Sequence, residues 1–88
     1  MSTNDDSRSL IARVYDAPGL GNTVRVLRAE RGWTQADLAE WLGVHRVTVA
    51  KLERGGAVDL PVAMRAIAVL DGVVEIRTRG GREVLADA

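Results

Sequence analysis

At 88 residues, with twelve basic and twelve acidic side chains and a net charge of zero, the chain has room for one domain with a modest core. It is not the polycation that sequence-blind nucleic-acid binding favours. The absence of cysteine excludes disulfides and thiolate metal sites, and no apolar run approaches the ~20 residues of a membrane span.

The first residues, MSTNDDSRSL, lack the charged-then-apolar pattern of a signal peptide, so a cytoplasmic protein is expected. Residues 1–18 read as a flexible arm. Within it Ser9–Tyr15 has the composition of a short helix, with Leu10, Ile11 and Val14 as its apolar side, before Ala17-Pro18-Gly19 breaks the chain. The domain proper is expected over 19–72. Its first helix runs from Asn22 or Thr23 to Arg31, with Leu20, Val24 and Leu27 on one face, Arg28 and Arg31 beside them, and Gly32 as C-cap. Trp33 follows as a core residue.

Thr34 is a good N-cap, and Asp37 three residues on completes a capping-box-like start. Ala36, Leu38, Ala39 and Leu42 recur at helical spacing, with Glu40 directed outward and Trp41 at the edge of the apolar face. Trp41 reads as partly packed or, in the sharper alternative, as a partner surface. Gly43 stands where the chain needs a left-handed residue to leave one helix and enter another. On the next helix, Arg46 to Arg54, Val49 and Leu52 share one side. Arg46, Val47, Ala50, Lys51 and Arg54 fall in an arc of about 140° on the other. Cationic and small side chains on one helical face suit the major groove, although a solvated amphipathic helix has the same pattern. From Val24 to Gly55 six basic residues face four acidic ones, a local excess on a neutral chain.

Taken together, RGWTQ at 31–35, LA at 38–39, LGV at 42–44 and LERG at 52–55, with Arg28 upstream, resemble the lambda-repressor-like, or XRE-type, helix-turn-helix family. The resemblance implies that Arg46, Val47 and Lys51, with Ala50 near the groove, read bases. Arg46 is the first candidate for a guanine contact, because its fork matches O6 and N7. It further implies phosphate contacts from Gln35, at a helix N-terminus, helped by Thr34, Thr48 and Arg54. His45 stands where the family caps the recognition helix with Ser or Thr. Histidine caps poorly, so a phosphate contact that makes binding pH-sensitive is the expectation. The family also pairs the arginine matching Arg28 with the glutamate matching Glu53, as a structural tie. In the arm, Arg8 or Arg13 could reach a minor groove; a loosely docked flank is the simpler reading.

Beyond Gly55-Gly56 a helix is expected over Leu60–Leu70, with Asp59 as N-cap and Pro61 in its first turn. Leu60, Ala63, Met64 and Ile67 make one apolar face; Val62, Ala66 and Val69 make another. A helix apolar on two sides must be covered twice, which points to a homodimer. Residues 73–79 then alternate with period two, Val74 and Ile76 opposite Glu75 and Arg77. Gly80-Gly81 would permit a hairpin with a return strand over 82–86. Such a strand pairs with that return strand or with its twin across a two-fold axis. The tail 73–88 is therefore read as a dimerisation element, with Val62, Ala66, Val69, Val74 and Ile76 at the interface.

A helix-turn-helix followed by a strand is similar to HipB-like antitoxins, which repress their own operon and bind a toxin. The expected fold is mainly α: four to five helices in a lambda-repressor-like helix-turn-helix domain, with a C-terminal β-strand or hairpin, dimeric. The expected partners are double-stranded operator DNA with palindromic half-sites, a second copy of the chain and a toxin protein. A stand-alone regulator, or an interaction module without DNA binding, are the alternatives. With one histidine and neither a Gly-x-Ser-x-Gly nor a phosphate-binding Gly-Lys-Ser/Thr loop, no enzyme site assembles, and no cofactor or metal is expected.

Overall fold

The structure, a computed structural model, describes residues 10–80. Four helices follow in order: α1 Ala17–Glu30, α2 Gln35–Leu42, α3 Arg46–Glu53 and α4 Leu60–Val69. α2 packs on α3, α1 lies against α3, and α4 covers α2. Their shared core is Val24 from α1, Leu38, Ala39 and Leu42 from α2, Val49 and Leu52 from α3, and Ala63, Ala66, Ile67 and Leu70 from α4 and its cap. Leu20, Leu27 and Trp33 are half-buried against it.

α1 begins at Ala17, five residues before the expected start and inside the stretch read as an arm. Pro18 does not break the chain; it occupies the first turn, where a missing N–H costs nothing. The Asp16 side chain caps that turn by accepting from the Gly19 N–H at 2.8 Å. The helix expected over 9–15 does not form among its described residues, 10–15. A segment so short, with two β-branched residues, cannot offset the cost of helix nucleation without something to pack on. Arg13 therefore lies on an exposed, non-helical segment, and Arg8 lies outside the described residues.

All four helices end in the same way. The N–H of the second residue past the last turn returns to a carbonyl five residues back, as in Val44 to Ala39 at 3.0 Å and Gly72 to Ile67 at 2.8 Å. The left-handed residue at this step is Gly32, Gly43, Gly55 or, for α4, Asp71 with φ +63°.

Two expectations about the C-terminal third are corrected. Ala66, assigned to a subunit interface, is 0% exposed within the single chain, so its methyl belongs to this subunit's own core. Val62 and Val69 are half-buried against that core, while Leu60 and Met64, on the face shared with Ala63 and Ile67, are exposed. Both faces of α4 are aliphatic, and α2 covers the one carrying Ala63, Ala66 and Ile67. Residues 72–78 carry no assigned strand among the described residues, and Val73, Val74 and Ile76 are exposed. The return strand over 82–86 lies outside the described residues.

Candidate nucleic-acid interface

The site is built on α2, the turn at Gly43 and α3. Thr34 and Asp37 form the reciprocal capping box: the Asp37 N–H donates to Thr34 Oγ1 at 3.0 Å, and the Thr34 N–H donates to Asp37 Oδ2 at 2.8 Å. Gly43 closes α2 at φ +69°, a left-handed conformation that a side chain would strain, and α3 starts three residues later. His45 occupies the N-cap of α3 without a side-chain cap bond, which leaves its imidazole exposed.

α3 buries Val49 and Leu52, and its last residue, Glu53, turns its side chain inward as well. Arg46, Val47, Lys51 and Arg54 are exposed, and Thr48 and Ala50 are half-buried between them. Val47 is 60% exposed. An exposed aliphatic flanked by three cations is a poor surface for water alone, and it matches a groove that offers thymine methyls beside acceptor edges.

Behind this face runs a chain of polar contacts. Arg28 on α1 donates from Nε to Glu53 Oε2 at 2.6 Å and from Nη2 to Glu53 Oε1 at 3.1 Å, a bidentate fork between side chains 14% and 4% exposed. Its Nη1 donates to the Trp33 carbonyl at 2.7 Å, so one guanidinium ties α1, the α1–α2 connection and α3 together. The hydrogen bonds to Glu53 raise the Arg28 pKa above its ordinary value; burial opposes this and the attraction of the Glu53 charge adds to it. Gln35 donates from Nε2 to Glu53 Oε1 at 3.0 Å and accepts at Oε1 from Arg46 Nη1 at 3.1 Å. The structure thus brings Arg28, Glu53, Gln35 and Arg46 into contact. His45, Val47, Lys51 and Arg54 share the outer surface without joining that chain.

The Gln35–Arg46 contact is absent from the sequence reading. Its one signal was that both residues open helices joined by a short turn. A second missed feature is Gly21 in the middle of α1. A Cβ there would sit 2.3 Å from the Leu52 carbonyl oxygen, so the α1 backbone rests directly on the end of α3. A third is an aromatic stack. Trp33 and Trp41 lie nearly parallel with ring centroids 5.7 Å apart, and the Arg31 guanidinium sits 5.3 Å over Trp33. Arg31 also reaches Asp71 at 2.6 Å. Trp41 is accordingly packed on one ring face while remaining 63% exposed.

Two short helices around a left-handed glycine, with the second helix braced from behind and cationic in front, define a helix-turn-helix protein. A helix-turn-helix domain family model matches residues 20–78, two-thirds of the chain. Antitoxin HipB of Escherichia coli (strain K12) is 32% identical over 41 residues, 47% of this chain and 47% of that protein; the match spans about half the length of this curated relative. Among solved structures, a HipB–O4 20mer complex superposes with a TM-score of 0.70 at 21% identity, covering 78% of this chain and 99% of that one. A HipA–HipB–O2–O3 complex gives a TM-score of 0.69 at 21% identity, with the same coverage. The chain belongs to the XRE-type helix-turn-helix family.

Proposed function

We propose that this protein is a sequence-specific DNA-binding repressor of the cytoplasm, acting as the antitoxin of a toxin–antitoxin operon that it also regulates. The observation that carries the reading is the outer face of α3. Arg46, Val47, Ala50 and Lys51 lie together over a buried Val49–Leu52 seam and supply the donors and apolar contacts of base readout. Thr34, Gln35, His45, Thr48 and Arg54 flank it and serve the phosphates, which position the helix without reading sequence. The antitoxin part rests on the similarity to HipB, which is itself found in a complex with HipA.

The dimer reading is supported by a surface away from the cationic residues of α3. Leu10, Val14, Met64, Val74 and Ile76 line an open apolar cleft between α1, α4 and the two non-helical segments. A second copy covers it, with the exposed Val74 and Ile76 in the contact. Two copies of α3 then meet half-sites about 34 Å apart.

The test is binding of the purified protein to the DNA upstream of its own reading frame, against scrambled DNA, across a salt series. Preference for the upstream sequence with a steep salt slope is expected; equal weak binding to both would remove the operator reading. Co-purification with the product of a neighbouring gene separates an antitoxin from a stand-alone regulator.

A further inference from the structure

Each helix ends with a reversal that carries the second residue past its C-cap back beside a residue of the last turn. A side-chain contact between those two residues commonly accompanies this reversal. The pairs are Trp33 on Arg28, Val44 on Ala39, Gly56 on Lys51 and Gly72 on Ile67, joined by N–H···O bonds of 3.1, 3.0, 2.8 and 2.8 Å. In three of them the sizes are complementary: small Ala39 meets Val44, whereas branched Ile67 and long Lys51 each meet a glycine. A Cβ at Gly72 would stand 2.7 Å from Ile67 Cγ2. One at Gly56 would stand 2.6 Å from Lys51 Cγ and 3.4 Å from Lys51 Cδ. The Lys51 stem therefore occupies the space that a side chain at position 56 would fill.

Ile67 belongs to the core, so its glycine serves packing. Lys51 is exposed on the outer face of α3, and the core does not need its stem. Building on the DNA-binding reading above, we propose that Gly56 is a positioning residue for Lys51 and so a determinant of sequence preference. By offering no Cβ, it lets the lysine stem run along the α3–α4 connection, and that course sets the direction from which the ammonium enters the groove. Lysine carries a long, flexible stem, and contact at Cγ and Cδ leaves less freedom to be lost on DNA. The support beneath the stem is itself fixed. Gly55, left-handed at φ +81°, rests on α1, where a Cβ would stand 2.6 Å from the Pro18 nitrogen and Cα. Gly56 lies outside the left-handed region, so alanine there brings no backbone strain of that kind. Its methyl would meet the lysine stem first, with the Lys51 carbonyl oxygen next at 3.2 Å. Alanine at 56 thus turns Lys51 to another rotamer and leaves the helices in place.

The test uses the full chain, with Gly56→Ala and Lys51→Ala made singly and together. The probes are a duplex selected by the wild-type protein from a random pool, its single-base-pair variants and a scrambled duplex. Gly56→Ala is expected to weaken the selected duplex about three- to tenfold and the scrambled one little. It should also change preference at the base pair where Lys51→Ala relaxes it. In the Lys51→Ala background, which has no Cγ to displace, Gly56→Ala should have no effect, because coupled residues are not additive. The same loss in that background, equal loss on both duplexes, or wild-type preference in Gly56→Ala would each overturn the inference. A second arm needs neither DNA nor a variant: NMR of the free wild-type protein. Nuclear Overhauser contacts between the Lys51 γ-protons and the Gly56 α-protons are expected, with one dominant Lys51 χ1 rotamer. Rotamer averaging without those contacts would overturn the inference even with DNA binding intact. A wild-type protein that selects no sequence would instead fail the DNA reading, and the NMR arm would still decide the positioning.

Discussion

Glu53 accepts three N–H bonds with a side chain only 4% exposed, so the carboxylate is held by protein donors where water barely reaches. Removing it strands the Arg28 guanidinium, 14% exposed, with only the Trp33 carbonyl. An uncompensated buried charge is far more costly than the net value of the pair. Glu53→Ala is expected to lower stability by about 3–5 kcal/mol, read by urea denaturation; an unchanged midpoint would refute it. The pH dependence has a definite sign. The Arg28 pKa is raised on folding, mainly by its hydrogen bonds to Glu53, so its contribution is complete below the unfolded value and fades only as pH climbs through the folded one. Arginine's unfolded value already lies beyond the working range. The stability gained through Arg28 should therefore be constant from about pH 6 to about pH 10. Arg46 carries the other prediction at this scale. Arg46→Ala should cost about 1–3 kcal/mol of binding and relax specificity at one base pair. Equal loss on every sequence would demote it to a phosphate contact.

Between elements, the closest approach is α1 on α3. Gly21 puts backbone against backbone there, with a virtual Cβ 2.3 Å from the Leu52 oxygen and 2.5 Å from that of Glu53. Neither atom is a flexible side-chain end, so an added methyl would push the helices apart and loosen the Arg28–Glu53 fork at the same crossing. Gly21→Ala should destabilise the protein by about 3 kcal/mol or more, although alanine is ordinarily the better residue inside a helix. A thermal midpoint at or above that of the wild type would show that α1 can shift at little cost. The Arg31–Asp71 pair joins the ends of α1 and α4 but is 35% and 87% exposed, which places it among surface pairs of small value. The stacked Trp33 and Trp41 hold the start of α2 to its end by area and ring geometry instead.

At the scale of the molecule, the four helices enclose a core of ten buried side chains among the described residues, yet Leu10, Ile11, Val14, Leu60, Met64, Val73, Val74 and Ile76 stay exposed. Most of these flank a single open cleft, and exposed aliphatic side chains gathered in one place are what the proposed second copy would cover. Light scattering at micromolar concentration should give twice the mass of one chain. Ile76→Asp should shift the mass toward that of a single chain while leaving helix content unchanged. A single-chain mass for the wild type would end the dimer proposal.

What could be read from the chain alone was whatever depends on neighbours in sequence. The Thr34–Asp37 box, the left-handed step at Gly43 and the outward arc of α3 each follow from spacings of three to eight residues. At that range the helix period decides which side chains share a face. Three features depended on which elements meet. Pro18 reads as a break in the sequence alone, because its capping partner, Asp16, is recognisable only once a helix is known to start there. Ala66 reads equally as core or as interface because α4 is aliphatic on both faces, and only its packing on α2 decides which face is inside. Gln35 and Arg46 are eleven residues apart on different helices, and the polarity of their bond is set by Glu53 and Arg28 from two further positions. No local pattern encodes that order; it exists because the fold leaves a carboxylate with acceptors alone beside an amide that can face either way.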